Sequence, residues 1–292
     1  MKKVTVILFV LLLLCSMCSC AQPETDPDHG TALEDGGAEP GADKLAGNAK
    51  NPPKTGVDDT KNGADAVAGK TPDDSAEMLH GKIAEVKDGV IVLAGESFGL
   101  LTASLKDAVL YGIDGDVITL DDLTAGMEVK LTYSGMMLET YPGQPAGVSS
   151  LAVTSEGDDL IGLYCNVFAD LYEVDAGLNN GIEMLAFDLT GVSNLSDGEK
   201  EALVYILACR YGLTVITGTY QELCDAGYID AETLSFEDGL LITIEVTEDR
   251  NDTFKFNAEK WRGGDGAYFF TDCEATRHNG AWDYTVGAEM IS

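Results

Sequence analysis

The chain has 292 residues, in which 50 acidic side chains outnumber 18 basic ones and leave a formal charge of −32. A field of that sign repels nucleic acid and anionic lipid headgroups, which argues against a DNA- or RNA-binding role, and it attracts cations and basic surfaces. Residues 77–292 hold 38 of the acids and 11 of the bases, so the excess belongs to the part with folding capacity; acidity that only keeps an exported protein soluble is the plainer account of it.

Lys2 and Lys3 precede an apolar run from Val4 to Leu14, and Ser19 precedes Cys20. The run is far shorter than the roughly 20 apolar residues that span a bilayer, so it reads as a signal peptide. Met17-Cys18-Ser19-Cys20 resembles a bacterial lipobox, although it departs from the usual Leu-Ala-Gly-Cys at three positions. The residues before Cys15 and Cys18, Leu14 and Met17, are larger than such a signal peptidase prefers. The resemblance implies a signal peptide over 1–19 and a mature chain that starts at Cys20. That residue would carry diacylglycerol on the extracytoplasmic face of the cell membrane. Secretion without an anchor is the alternative.

Residues 21–76 contain no aromatic side chain and six of the eight prolines. Such a composition cannot bury enough apolar area to offset its ordering entropy, which predicts a disordered tether over 20–76. Its root-mean-square span as a coil would be about 40 Å.

Residues 77–155 read as a small, all-β, barrel-like domain. Gly81–Val86 and Val90–Ala94 flank Asp88-Gly89, a dipeptide suited to a type I′ turn. Asp114-Gly115 separates Ala108–Ile113 from Val117–Leu120, and Glu128–Tyr133 alternates apolar and polar residues. Val148–Thr154 follows the Tyr141–Gly147 loop. The run Asp121–Tyr133 resembles small OB-like barrels of other bacterial lipoproteins, a likeness that implies a fold and no activity.

Residues 158–292 read as an α+β domain with an antiparallel sheet. Leu160, Tyr164, Val167 and Leu171 repeat with helical spacing. Ile182–Leu189 predicts a strand. Ser196 and Glu199 form a capping box for a helix ending at Tyr211-Gly212. Leu213–Thr217 predicts a strand, and Thr219 with Glu222 caps a short helix. Strands follow at Gly239–Thr247, Thr253–Ala258, Ala267–Thr276 and Ala281–Ala288, the last two joined by Asn279-Gly280.

The stretch Glu259 to Phe270 is the nearest thing to a site marker. Lys260 and Arg262 flank Trp261, glycines occupy 263, 264 and 266, and Tyr268 follows. Read as a hairpin loop, Lys260, Trp261, Arg262 and Tyr268 are candidate ligand-binding residues for a carboxylate, a phosphate or a sugar acid. A Trp that caps the core, with cations offsetting neighbouring acids, is the plainer reading. This stretch, with Thr219–Gly227 and Phe236–Glu245, resembles C-terminal domains of lipoproteins of Gram-positive gut bacteria; the likeness carries no activity.

Histidine is scarce: His80 and His278 are the only two beyond the tether. Cys273 and His278 could form a nucleophile and base only if the strand end brought them together, and nothing nearby sets up an oxyanion hole. No HxxxH, HExxH or cysteine cluster offers zinc ligands. Asp114-Gly-Asp116 lacks the spacing of an EF-hand, which leaves weak, loop-borne calcium as the metal option. Cys165, Cys209, Cys224 and Cys273 could be bridged or could be thiols.

These residues point to an extracytoplasmic, membrane-anchored lipoprotein whose head is a non-catalytic binding module. Its partner would be an envelope protein, a peptide or a glycan, and it needs no cofactor beyond the lipid on Cys20. The alternative is a cone-like α+β domain whose pocket holds a small ligand or performs acid–base chemistry.

Overall fold

The computed structural model describes residues 76–292 apart from 96, 251 and 279. The signal peptide, Cys20 and the tether lie outside the described residues. The described chain is α+β, mostly strand with a few helices, and one of its sheets is curled.

Strands β1 (Glu77–Lys87) and β2 (Val90–Gly95) form the first hairpin. Asp88 and Gly89, at φ 51° and 76°, supply the two left-handed residues of a type I′ turn, whose twist matches that of the strands. Next come β3 (Gly99–Ser104), β4 (Val109–Tyr111), β5 (Glu128–Tyr133), the two-residue strands β6 (Met137–Leu138) and β7 (Gln144–Pro145), and β8 (Ser150–Ser155). The first sheet runs β3-β2-β1-β5-β8-β4. Its inner face packs Ile83, Ile91, Leu93, Leu101, Val129, Leu131 and Leu151. Two expectations change. Residues 99–104, unassigned from sequence, are a strand; residues 117–120 make only a bridge, Val117 to Tyr111, before a single 3-10 turn.

The second half contains α1 (Leu160–Glu173), β9 (Met184–Gly191), α2 (Asp197–Tyr211), β10 (Thr214–Thr217) and α3 (Tyr220–Asp225). The long strands β11 (Gly239–Arg250), β12 (Thr253–Gly263) and β13 (Gly266–His278) follow, then β14 (Ala281–Thr285) and β15 (Ala288–Ile291). Both capping boxes form as their spacing predicts, and Gly212 ends α2 in the left-handed region at φ 65°. The sheet order is β10-β9-β11-β12-β13-β14, with β15 also on β13. It is not the purely antiparallel sheet expected: β9 runs parallel to both β10 and β11. Parallel neighbours need crossovers, and α2 and α3 supply them on opposite faces. Leu203 and Ile206 of α2 pack with Leu185, Phe187 and Val215, whereas Leu223 of α3 packs with Ala186, Ile216 and Leu241.

The two sheets share a core. Ala84, Val92, Ala94 and Leu100 of the first sheet's outer face pack with α1, α2 and the second sheet. Strand β2 is therefore buried on both sides, which accounts for its unbroken apolar run Val-Ile-Val-Leu-Ala. The start of α2 sits directly on the end of β2: a Cβ on Gly198 would lie 2.7 Å from the Gly95 carbonyl oxygen. Lys82 fastens the junction, donating to Glu199 at 2.6 Å and to Asp158 at 3.3 Å. Arg277 donates to the Gly157 carbonyl in the segment between the sheets.

The four cysteines of this region are thiols, none of them disulfide-bonded. Cys165 and Cys273 are buried, and burial pushes their pKa values up to about 12 and about 11. Cys209 is exposed.

Candidate functional site

Lys260, Trp261 and Arg262 lie in strand β12, not in a loop; the hairpin that follows is the two-residue turn Gly264-Asp265. Side chains alternate faces along a strand, so the indole cannot sit between the two cations. Lys260 points to the helix side and is fully buried at 0% exposure. Its Nζ donates to the carbonyls of Tyr172 (3.2 Å), Val174 and Asp175 (3.3 Å) and to Asn179 Oδ1 (3.3 Å). Burial lowers its pKa from the ordinary lysine value, against a smaller opposing pull from Asp175. Arg262 donates to the carbonyls of Leu178 (2.8 Å), Asn180 (2.6 Å) and Glu237 (2.9 Å). Both cations are committed to the connection after α1, and Arg262 also to the approach to β11. They offer no anion site in this arrangement. Tyr268 pairs in register with Lys260 and donates to Glu289.

Trp261 remains as a surface feature, on the opposite face. It packs edge-on against Tyr220 with ring centroids 5.4 Å apart. Beside it along β12 lies Glu259, whose neighbours across the ladders are Thr243 and Phe269, and Phe269 in turn pairs with Met290. Glu259 is half-buried and burial alone raises its pKa. Met290 is 51% exposed. Helix α3 and residues 226–236 cover one end of this face around Ile216, Leu223, Ile229 and Phe236. Glu259, Phe269 and Met290 lie beyond that cover.

A second feature was not anticipated. A cleft of about 360 Å³ lies beyond the carboxyl ends of the parallel strands β9 and β11, lined by Asp158, Leu160, Asn194, Asp249, Arg250, Phe254 and Trp282. Trp282 Nε1 is buried and has no hydrogen-bond partner, the one such side-chain atom among the described residues. Phe254 holds the indole edge-on at 5.3 Å. Asn194 Oδ1 accepts from the Tyr164 hydroxyl at 2.8 Å. Asp158 is engaged by Lys82, and Arg250 by Glu248 at 3.2 Å. The cleft's one faint trace in the sequence is Trp282, one of only two tryptophans in the chain.

Cys273 is buried in the core and His278 is exposed, five positions apart and hence on opposite faces of β13, so they form no catalytic pair. Among the described residues no group of three or more His, Cys, Asp or Glu is arranged to hold a metal ion. No helix among them is long and apolar enough to cross a membrane. No family model matches the chain, and no curated protein or solved structure is significantly similar to it.

Proposed function

We propose that the chain is a lipid-anchored protein of the extracytoplasmic membrane face, attached through Cys20, whose folded head is a non-catalytic binding module of the cell envelope. One observation carries the binding role. The uncovered part of the second sheet sets Glu259, a half-buried carboxyl with no cation beside it, between Trp261 and Phe269. Aromatic faces next to an unneutralised carboxylate attract lysine and arginine side chains, and the net charge of the head favours the same class of partner. The occupant is therefore a basic segment of an envelope protein or peptide. The curl of the first sheet supports a barrel-like unit that stiffens this head.

An acid–base enzyme draws less support. The carboxyls whose pKa burial raises, Asp159 and Glu259, do not line the cleft. Asp159 instead caps α1, accepting from the Gly162 amide at 2.8 Å.

Cross-linking on intact cells with a tagged copy, followed by mass spectrometry, tests the reading. Capture of one dominant partner with a basic segment, lost in Trp261→Ala while the circular dichroism spectrum is retained, is the expected result. Equal capture by a folded Trp261→Ala protein would remove this face, and recovery of glycan alone would remove the basic partner.

A further inference from the structure

The second sheet ends in an open edge at β15. This strand pairs with β13, from Tyr268 opposite Ile291 to Thr271 opposite Ala288, and among the described residues no strand lies on its other side. The Ser292 amide donates to the Ala267 carbonyl at 3.1 Å, which continues the register. Main-chain groups alternate direction along an antiparallel strand, so Met290 and Ala288 also turn theirs toward β13. Glu289 and Ile291 therefore turn their N–H and C=O groups away from the sheet.

The other sheet edges are covered. Gly143 lies along β3, accepting from Thr102 N at 2.9 Å and donating to Leu100 O at 3.3 Å. The turn after β4 closes that strand, through Gly112 N to Asp116 O at 2.8 Å and Ile118 N to Leu110 O at 3.0 Å. β10 is flanked by helices, Val215 packing with α2 and Ile216 with α3. By contrast all four side chains of β15 are exposed, Ile291 at 69%, and the strand holds no lysine or proline, residues that commonly block an edge.

Outward N–H and C=O groups at strand spacing fit one class of ligand, an extended polypeptide that adds a strand. Charge selects which. Residues 278–292 carry Asp283 and Glu289 and no lysine or arginine. A second copy of this edge would meet like charge, and a basic chain would meet opposite charge. The edge also continues the face that carries Glu259, because Glu259 pairs with Phe269 and Phe269 with Met290.

We propose that a basic segment binds as an added β-strand along β15, exchanging main-chain hydrogen bonds with Glu289 and Ile291 and laying alternate side chains on the side of the sheet that carries Trp261. This rests on the reading of the partner as a basic segment.

The test titrates the full chain, in a nonionic detergent, with a fluorescein-labelled Lys-Val-Lys-Val-Lys-Val-Lys peptide and follows anisotropy. Saturable binding is expected, together with hydrogen exchange slowed about tenfold or more at the Glu289 and Ile291 amides. Ile291→Pro removes the outward N–H and leaves the bonds to β13 in place, so it should weaken binding about tenfold or more. Ile291→Ala keeps the N–H and should stay within about threefold. No binding at millimolar peptide, equal binding of a Glu-Val-Glu-Val-Glu-Val-Glu peptide, or unchanged exchange at both amides in the saturated complex would each overturn the inference. If Ile291→Pro does not fold, the exchange result decides alone. Self-association of the free chain that Ile291→Pro abolishes would give the edge to a second copy instead. Loss of binding in Trp261→Ala with full binding by Ile291→Pro keeps the face and overturns the edge; the reverse keeps the edge and removes the face.

Discussion

Replacing Lys260 by Met separates an architectural cation from a ligand-binding one. Met is close to Lys in length and fills the same space, so little cavity cost arises. What is lost is the set of four acceptors around Nζ: three carbonyls at the end of α1 and just beyond it, and Asn179 Oδ1. A hydrogen bond to a charged donor contributes roughly 1.5–3 kcal/mol, and buried acceptors left empty cost about 1–3 kcal/mol each. Three protons shared among four oxygens, and relief from burying an ammonium, both reduce the sum, which leaves a net loss of about 3 kcal/mol. For a folded region of this size that corresponds to roughly 6–12 °C in Tm. Urea denaturation followed by circular dichroism measures it, with an unchanged slope to show that the same structure unfolds. Lys255→Met is the matched control. It removes an exposed lysine of the same strand, 3.7 Å from Glu248, and should shift stability by no more than about 0.5 kcal/mol. Equal stability of the two variants would refute the buried-strap account and return Lys260 to the ligand candidates.

The junction between the sheets should show a pH signature. Burial pushes the Glu199 carboxyl up, but hydrogen bonds from Lys82 and Ser196 outweigh it and hold the pKa below the ordinary 4.5. A carboxyl depressed in the folded state contributes stability above its unfolded pKa and loses it as pH falls through the folded one. Wild type should therefore exceed Glu199→Gln most near neutrality, with the gap closing as pH drops below the ordinary glutamate value; a gap constant from about pH 7 to 3.5 would exclude the ion pair as its source. At the other end of the chain, Cys20→Ser should abolish metabolic labelling by an alkynyl fatty acid and move the protein out of the membrane fraction. Undiminished labelling would place the lipid on another residue, and no labelling of the wild type would dismiss it.

Local chemistry was the legible part of the sequence. Asp88-Gly89, the Ser196–Glu199 and Thr219–Glu222 boxes and Gly212 each act within one turn of chain, and each forms where its spacing demands. The shared core was less visible, although β2 carried the signal: five consecutive apolar residues do not fit a strand with one wet face, and α2 covers the other. Lys260 shows how a site misleads. Glycines at 263, 264 and 266 suggested a loop, but the register runs Lys260 opposite Tyr268 and Gly263 opposite Gly266. Every side chain in the stretch is thereby assigned to a face, and alternation separates the cations from the indole. The cleft was not legible at all. Its residues come from positions 158 to 282, and only the mixed sheet gathers them.

The fate of the cations bears on what the molecule can meet. Of the 11 basic residues in 77–292, seven are engaged: Lys82, Arg210, Arg250 and Lys255 by carboxylates, and Lys260, Arg262 and Arg277 by backbone carbonyls. Those that bridge distant segments, Lys82 and Arg277 between the sheets and Lys260 and Arg262 across the second one, point inward or along the seams. The cations thus act as internal ties, and most carboxylates face water with no counter-charge beside them. An anionic partner would have few exposed lysines to meet. A basic segment on the Trp261 face gains from the same imbalance, and its association should weaken as salt screens the field.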